Sequence, residues 1–158
     1  MAVYFNRQFK SMGMKKVAAL GLDVGRKRMG VAGCDGTGLI ATGLTTIRRT
    51  SWAEDIRQLK EIVAEREIEI LVIGLPYKLD GTLGAQAKQV QKFAERISRI
   101  LQLPFDYVDE RLTSVEAEAQ LKAQKQFSTR NKGAIDRRAA AIILQQWLDA
   151  RRCERVEN

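Results

Sequence analysis

The chain has 158 residues, a length suited to one domain, and 45% apolar with 29% charged residues is an ordinary globular mix. It contains no histidine, which excludes imidazole acid–base chemistry, Ser-His and Cys-His nucleophiles and histidine-ligated zinc. No apolar run approaches the ~18 residues of a membrane span, so no membrane partner is expected. Lys and Arg number 27 against 19 Asp and Glu, a net charge of +8. The excess sits at the ends: residues 1–28 carry seven bases and one acid, and residues 125–155 carry eight bases and three acids. A near-neutral body with basic ends points to a polyanionic partner, most simply nucleic acid. Cys34 and Cys153 are too few for a disulfide framework, and with no secretory segment the expected compartment is the reducing cytoplasm.

Residues 1–15 read as a short basic arm, or as a stretch upstream of a start at Met12 or Met14. The apolar run 17–24, the short run 29–34 and the run 39–47 are separated by Gly-containing turns, Gly25-Arg26-Lys27-Arg28 and Asp35-Gly36-Thr37-Gly38. This predicts three antiparallel strands. Ser51 and Glu54 form a capping box before a helix whose stripe is Trp52, Ile56, Leu59 and Val63. The unbroken apolar run 68–75 predicts a strand covered on both faces. A second helix carries Ala87, Val90, Ala94, Ile97 and Leu101 at 3, 4, 3, 4 spacing. Residues 105–109 predict a fifth strand, and Thr113 with Glu116 caps a third helix. The polar, basic stretch 122–133 reads as a mobile loop, and a last helix is predicted over 134–150. The order describes an α/β fold: a mixed five-stranded sheet, a three-strand antiparallel meander plus two parallel strands, with helices on both faces.

Three carboxylates occupy positions that carboxylates avoid. Asp23 ends an otherwise apolar strand, although it also suits a cap on the Gly25 turn. Asp109 and Glu110 end the last strand. Alternation sets Phe105, Tyr107 and Asp109 on one face and Asp106, Val108 and Glu110 on the other, without choosing between the two acids. Asp136 shares a helical stripe with Ala140, Ile143 and Trp147, so it lies on the face that should pack against the sheet. A first-turn acid gains about 0.3–1 kcal/mol from the helix dipole, which explains its place along the helix but not its face. Sites in sheets of this kind form at the carboxyl ends of strands. Converging carboxylates there make sense around divalent cations, and oxygen donors favour Mg²⁺ or Mn²⁺. A pair of such ions about 3.5–4 Å apart can serve the attacking water and the leaving oxygen of a phosphodiester. Two glycine-bearing loops suit phosphate. One places Gly25, Arg26, Lys27 and Arg28 beside Asp23; the other runs from Gly74 through Lys78 to Asp80-Gly81-Thr82 and a helix start.

Gly21-Leu22-Asp23-Val24-Gly25 with Arg28-Met29-Gly30-Val31-Ala32, Gly74-Leu75-Pro76 with Asp80-Gly81, Asp109-Glu110-Arg111-Leu112-Thr113-Ser114, and Asp136 with Ala139-Ala140 and Ile143-Leu144 stand in one order along the chain. Together they resemble the YqgF, or RuvX, family over residues 17–150. The resemblance implies a ribonuclease-H-like nuclease domain over 16–152, followed by a tail at 153–158. It further implies a hydrolase that needs Mg²⁺ or Mn²⁺ and trims the 5′ end of the small-subunit ribosomal RNA precursor. The family's catalytic and metal-holding acids fall on Asp23, Glu110 and Asp136; the resemblance is what selects Glu110 over Asp109. Arg111 falls beside the scissile phosphate, and Arg26, Lys27, Arg28, Arg130 and Lys132 are expected on flanking phosphates. The stretch Tyr77-Lys78-Leu79 departs from the amide-containing loop of the family. The expected partner is precursor ribosomal RNA, with DNA as the alternative and the ribosome as a further contact, and the expected state is a monomer or weak dimer. Two competing functions fit the same charges: a resolvase of four-way DNA junctions, and a ribosomal-RNA-binding assembly factor that does not cut. Nucleotide binding in the actin manner would need a second lobe.

Overall fold

The computed structural model describes residues 16–78, 80–109 and 132–157. β1 (Ala19–Val24) and β2 (Arg28–Cys34) form a hairpin, closed where Gly25 N–H donates to the Arg28 carbonyl at 2.9 Å. β3 (Ala41–Arg48) continues the antiparallel meander on β2, with a register shift at Val31/Ala32. Half of the expected capping box forms: Glu54 N–H donates to Ser51 Oγ at 3.2 Å and opens α1 (Trp52–Arg66), while the Glu54 carboxylate accepts from Arg57 at 2.7 and 2.9 Å. Glu67 stops that helix in a left-handed conformation, φ 52°. The fully buried β4 (Ile70–Leu75) runs parallel between β1 and β5 (Phe105–Asp109), with α2 (Ala85–Leu101) as the crossover. The sheet order is β3-β2-β1-β4-β5, the mixed five-stranded arrangement expected. α3 (Lys132–Glu157) covers the opposite face.

Period-two alternation divides the core in two. Leu20, Leu22, Met29, Val31, Leu71 and Ile73 point to α1 and α2, where they meet Ile56, Leu59, Val90 and Ile97. Ala19, Ala32, Ile70, Val72 and Val108 point to α3, where they meet Ala140, Ile143, Leu144 and Trp147. The α3 face is lined with small residues for a reason. A Cβ on Gly21 would lie 2.8 Å from Leu144 Cβ, and one on Gly43 would lie 3.0 Å from Arg137 Cβ. The sheet surface is therefore shallow there, and α3 lies close against it.

The last helix is longer at both ends than its apolar stripe predicts. Lys132 and Gly133, assigned to a loop by polarity, belong to α3, because Thr46 Oγ1 on β3 donates to the Gly133 carbonyl at 2.7 Å. Cys153, assigned to a tail, is helical as well. Arg152 Nη1 donates to the Gly38 and Leu39 carbonyls at 3.3 Å, and Arg151, 8% exposed, packs over the Trp147 ring. The helix expected after Thr113, the loop over 122–131 and the arm 1–15 lie outside the described residues.

Candidate active site

The carboxyl ends of β1, β4 and β5 share one edge, because the three strands are parallel. Asp23 lies one residue from the end of β1 and pairs across the hairpin with Gly30. Residues directly opposite in an antiparallel pair point to the same face. Gly30 faces α3 so closely that a Cβ on it would lie 2.0 Å from the Asp136 carbonyl oxygen. Asp23, half-buried, therefore points to the face on which the first turns of α3 rest, and Gly30 is the seat between Asp23 and Asp136. Thr46 pairs with Gly30 from the other side and completes the row Thr46–Gly30–Asp23. Besides holding Gly133, the Thr46 hydroxyl receives Arg137 Nη1 at 3.4 Å. Three strands thus fix the start of α3 and, with it, Asp136.

Asp136 lies where its stripe predicts, above a face whose other members, Ala140, Ile143 and Trp147, are fully buried. Its carboxylate is 17% exposed, and Oδ2 accepts from Arg28 Nε at 2.6 Å. Arg28 therefore neutralises a candidate catalytic carboxylate. Its hairpin neighbours Arg26 and Lys27 are exposed at the turn tip, three and four residues after Asp23. Gly74, buried one residue before the end of β4, pairs with Val108 and leaves no side chain on the sheet beside Asp23. Lys132 is exposed in the first turn of α3.

The loop after β4 is a tight hairpin. Lys78 N–H donates to the Thr82 carbonyl at 2.9 Å, and Tyr77 bridges to Leu83. Asp80 does structural work there: it accepts from Thr82 Oγ1 at 2.7 Å and Thr82 N–H at 2.9 Å, and the Thr82 hydroxyl holds its carboxyl below the ordinary range. Lys78 lies over Gly84, the N-cap of α2, whose end has no side-chain cap.

On β5, Asp106 and Val108 take the α3 side. Asp106, 3% exposed, accepts from Trp147 Nε1 at 2.9 Å. This is a structural acid. It pins the middle of α3 to the strand that leads to Asp109, which is half-buried at the strand end. Glu110, Arg111 and Arg130 lie outside the described residues. Among the described residues no three acids or cysteines cluster as a ready metal site. The two described candidates nevertheless fit a hard cation. Both are carboxylates, their backbones meet at Gly30, and a guanidinium already answers one of them at 2.6 Å.

Thr46, Gly30 and Arg49, whose Nη1 donates to the Gly25 carbonyl at 2.6 Å, are the residues that sequence reasoning missed as parts of this edge. Gly30 was legible in principle: a hairpin closed at Gly25–Arg28 places residue 30 opposite residue 23. Thr46 and Arg49 carry no local signal, since each acts through contacts with residues distant in the chain.

A mixed sheet in the order 3-2-1-4-5, with carboxylates at the carboxyl end of its first strand and on the helix covering it, defines the ribonuclease-H-like class. Solved structures agree: RuvC of Thermus thermophilus in complex with a Holliday junction substrate has a TM-score of 0.55 at 12% identity, covering 85% of this chain and 95% of that one. RuvC of the same organism in another structure has a TM-score of 0.53 at 13% identity, covering 85% and 96%. Within that class, the chain belongs to the RuvX family, whose model, described as a Holliday junction resolvase, matches residues 17–150. A Rippkaea orientalis protein named "Putative pre-16S rRNA nuclease" is 73% identical over 139 residues, 88% of this chain and 100% of that protein. One of the same name from Synechocystis is 68% identical over 144 residues, 91% and 95% of the two chains.

Proposed function

We propose that this protein is a cytoplasmic, metal-dependent nuclease that hydrolyses phosphodiester bonds in the precursor of 16S ribosomal RNA. The observation that carries the reading is the convergence of Asp23 and Asp136 across Gly30 at the carboxyl edge. The site belongs to a chain 73% identical to a relative named for that activity. Asp23, Asp136 and Glu110 are the residues that would hold Mg²⁺ or Mn²⁺. Such ions supply Lewis-acid charge and lower the pKa of water in the site.

The chain's own residues do the rest. Asp23 and Asp136 face the scissile phosphate from the end of a strand and the start of a helix, both rigid, so their geometry is set before substrate arrives. Arg28 holds the Asp136 carboxylate in place with its Nε. Arg26 and Lys27, at the tip of the hairpin, bind flanking phosphates on one side of Asp23, and Lys132 binds them at the start of α3. Arg130 on a flanking phosphate and Arg111 at the scissile phosphate are the roles the family resemblance implies. The nuclease domain spans 16–152 and acts as a monomer or weak dimer.

The description of the family model favours a second reading, resolution of four-way DNA junctions. The two are separated by incubating the protein with Mg²⁺ and Mn²⁺ and two end-labelled substrates, a precursor 16S RNA fragment and a four-way DNA junction. Metal-dependent cutting of the RNA with the junction left whole supports the proposal. Symmetric cutting of the junction alone overturns it.

A further inference from the structure

A cavity of about 240 Å³ opens at the same carboxyl edge, on the face turned away from α3. Val24 and Gly25 form one wall, so the cavity begins at the residue after Asp23. The other wall is the first three turns of α2, with Gln86, Gln89 and the apolar Val90 and Phe93. Arg49 forms the back, and it is rigid. Its Nη1 donates to the Gly25 carbonyl at 2.6 Å, its Nε lies 3.6 Å from the buried Asp55 carboxylate, and its guanidinium lies 4.8 Å from the Phe93 ring centroid. The exposed Arg26 stands at the mouth.

We propose that this cavity receives one unpaired nucleobase of the RNA chain, next to the phosphate at Asp23, and makes the enzyme selective for the base at that position. The inference rests on the nuclease reading above. Four observations carry it. Among the described residues the lining includes two arginines and no carboxylate, as a site beside a phosphate chain requires. Gln86 and Gln89 are exposed, and their amides each offer a donor and an acceptor, the combination that pairs with a base edge. The apolar floor and the fixed guanidinium plane suit a flat ring, since single-stranded RNA is read by splaying bases onto aromatic and arginine planes. The walls are held by contacts already made, so little ordering remains when a base enters. Asp23 and Val24 are consecutive and point to opposite faces, so a chain cut at Asp23 and crossing the edge meets the cavity at once.

The test uses Asp23→Asn protein, chosen to prevent cutting during the titration, and short single-stranded RNAs identical except for A, C, G or U at one position, scanned along the oligonucleotide. Fluorescence anisotropy is expected to show a preference of about tenfold for one base at one position, the order of discrimination given by one amide–base pair. Gln86→Ala with Gln89→Ala should reduce that ratio towards one. Both side chains are exposed, and an unchanged Tm confirms the fold. RNA binding without base preference, or a preference that survives the double substitution, overturns the cavity and leaves the nuclease reading intact. Failure to bind any RNA overturns both.

Discussion

Gly30→Ala is the substitution that most sharply probes how the site is held together. An added Cβ would lie 2.0 Å from the Asp136 carbonyl oxygen, and the atom it meets is helix backbone, which cannot rotate away. A carbon–oxygen contact settles near 3.3 Å, so the second turn of α3, which carries Asp136, must retreat by about 1.3 Å. Overpacking of this kind costs about 1–3 kcal/mol, or roughly 2–10 °C in Tm for a domain of this size. The functional loss is expected to be larger than the stability loss. A catalytic group displaced by about 1 Å forfeits on the order of 100-fold in rate, and the retreat moves Asp136 away from Asp23 and strains its bond to Arg28. Gly36→Ala is the control: a Cβ there meets only Lys16 Cε at 3.2 Å, the flexible end of an exposed side chain. Cleavage of the precursor RNA fragment, measured alongside thermal melts of both variants, gives the comparison. A Gly30→Ala enzyme as active as wild type, or a Gly36→Ala enzyme equally impaired, would refute the idea that Gly30 is the seat of the site.

Trp147→Phe removes the indole N–H that Asp106 accepts at 2.9 Å inside the core; urea melts should show a loss of about 1.5–3 kcal/mol, the worth of a hydrogen bond to a charged acceptor, whereas a loss under ~0.5 kcal/mol would mean the bond is idle. Burial raises the Tyr107 phenol to about 12. The folded form thus keeps its proton longer than the unfolded chain, whose tyrosine titrates near 10. The resulting stability is intact below pH ~10 and is lost as pH rises towards about 12. Tyr107→Phe should flatten the fall in Tm across that window, and an unchanged slope would discount the effect. Arg28→Gln leaves the Asp136 carboxylate without its cation, so calorimetry should show tighter Mn²⁺ binding than wild type; weaker binding would mean that the ordering Arg28 imposes on Asp136 outweighs the charge it sets against the metal.

The fold was legible because its elements announce themselves locally. The Gly25–Arg28 turn, the Ser51 cap, the unbroken apolar run of β4 and the stripe of α2 each specify one element, and the structure builds all of them. Asp136 was legible for a related reason: an acid in line with Ala140, Ile143 and Trp147 contradicts the helical pattern, and it lies on the sheet-facing side of α3. The ends of α3 were not legible. Composition makes Lys132-Gly133 look like loop, and only Thr46, 87 residues from Gly133 in the chain, makes them helix. Arg28 shows the same limit. Sequence groups it with Arg26 and Lys27 on flanking phosphates; that alternation along β2 also turns it towards α3, where Asp136 accepts from its Nε, has no local signal. Asp80 likewise looks like part of a phosphate loop, yet its Oδ1 accepts from the Thr82 amide and hydroxyl and closes its own turn. Non-local contacts decide which member of a charged cluster faces a ligand and which one holds the fold.

The central claim is that Asp23 acts on the phosphodiester and does not serve to bind nucleic acid. Asp23→Asn preserves the shape of the side chain and removes its charge, so the decisive measurement is cleavage and binding of the same precursor RNA fragment by wild type and variant, purified identically, in Mg²⁺ and in Mn²⁺. The account predicts cleavage lowered by at least three orders of magnitude, with affinity for the RNA within a few-fold of wild type. Cleavage that persists in the variant, or affinity that falls in step with cleavage, would contradict it.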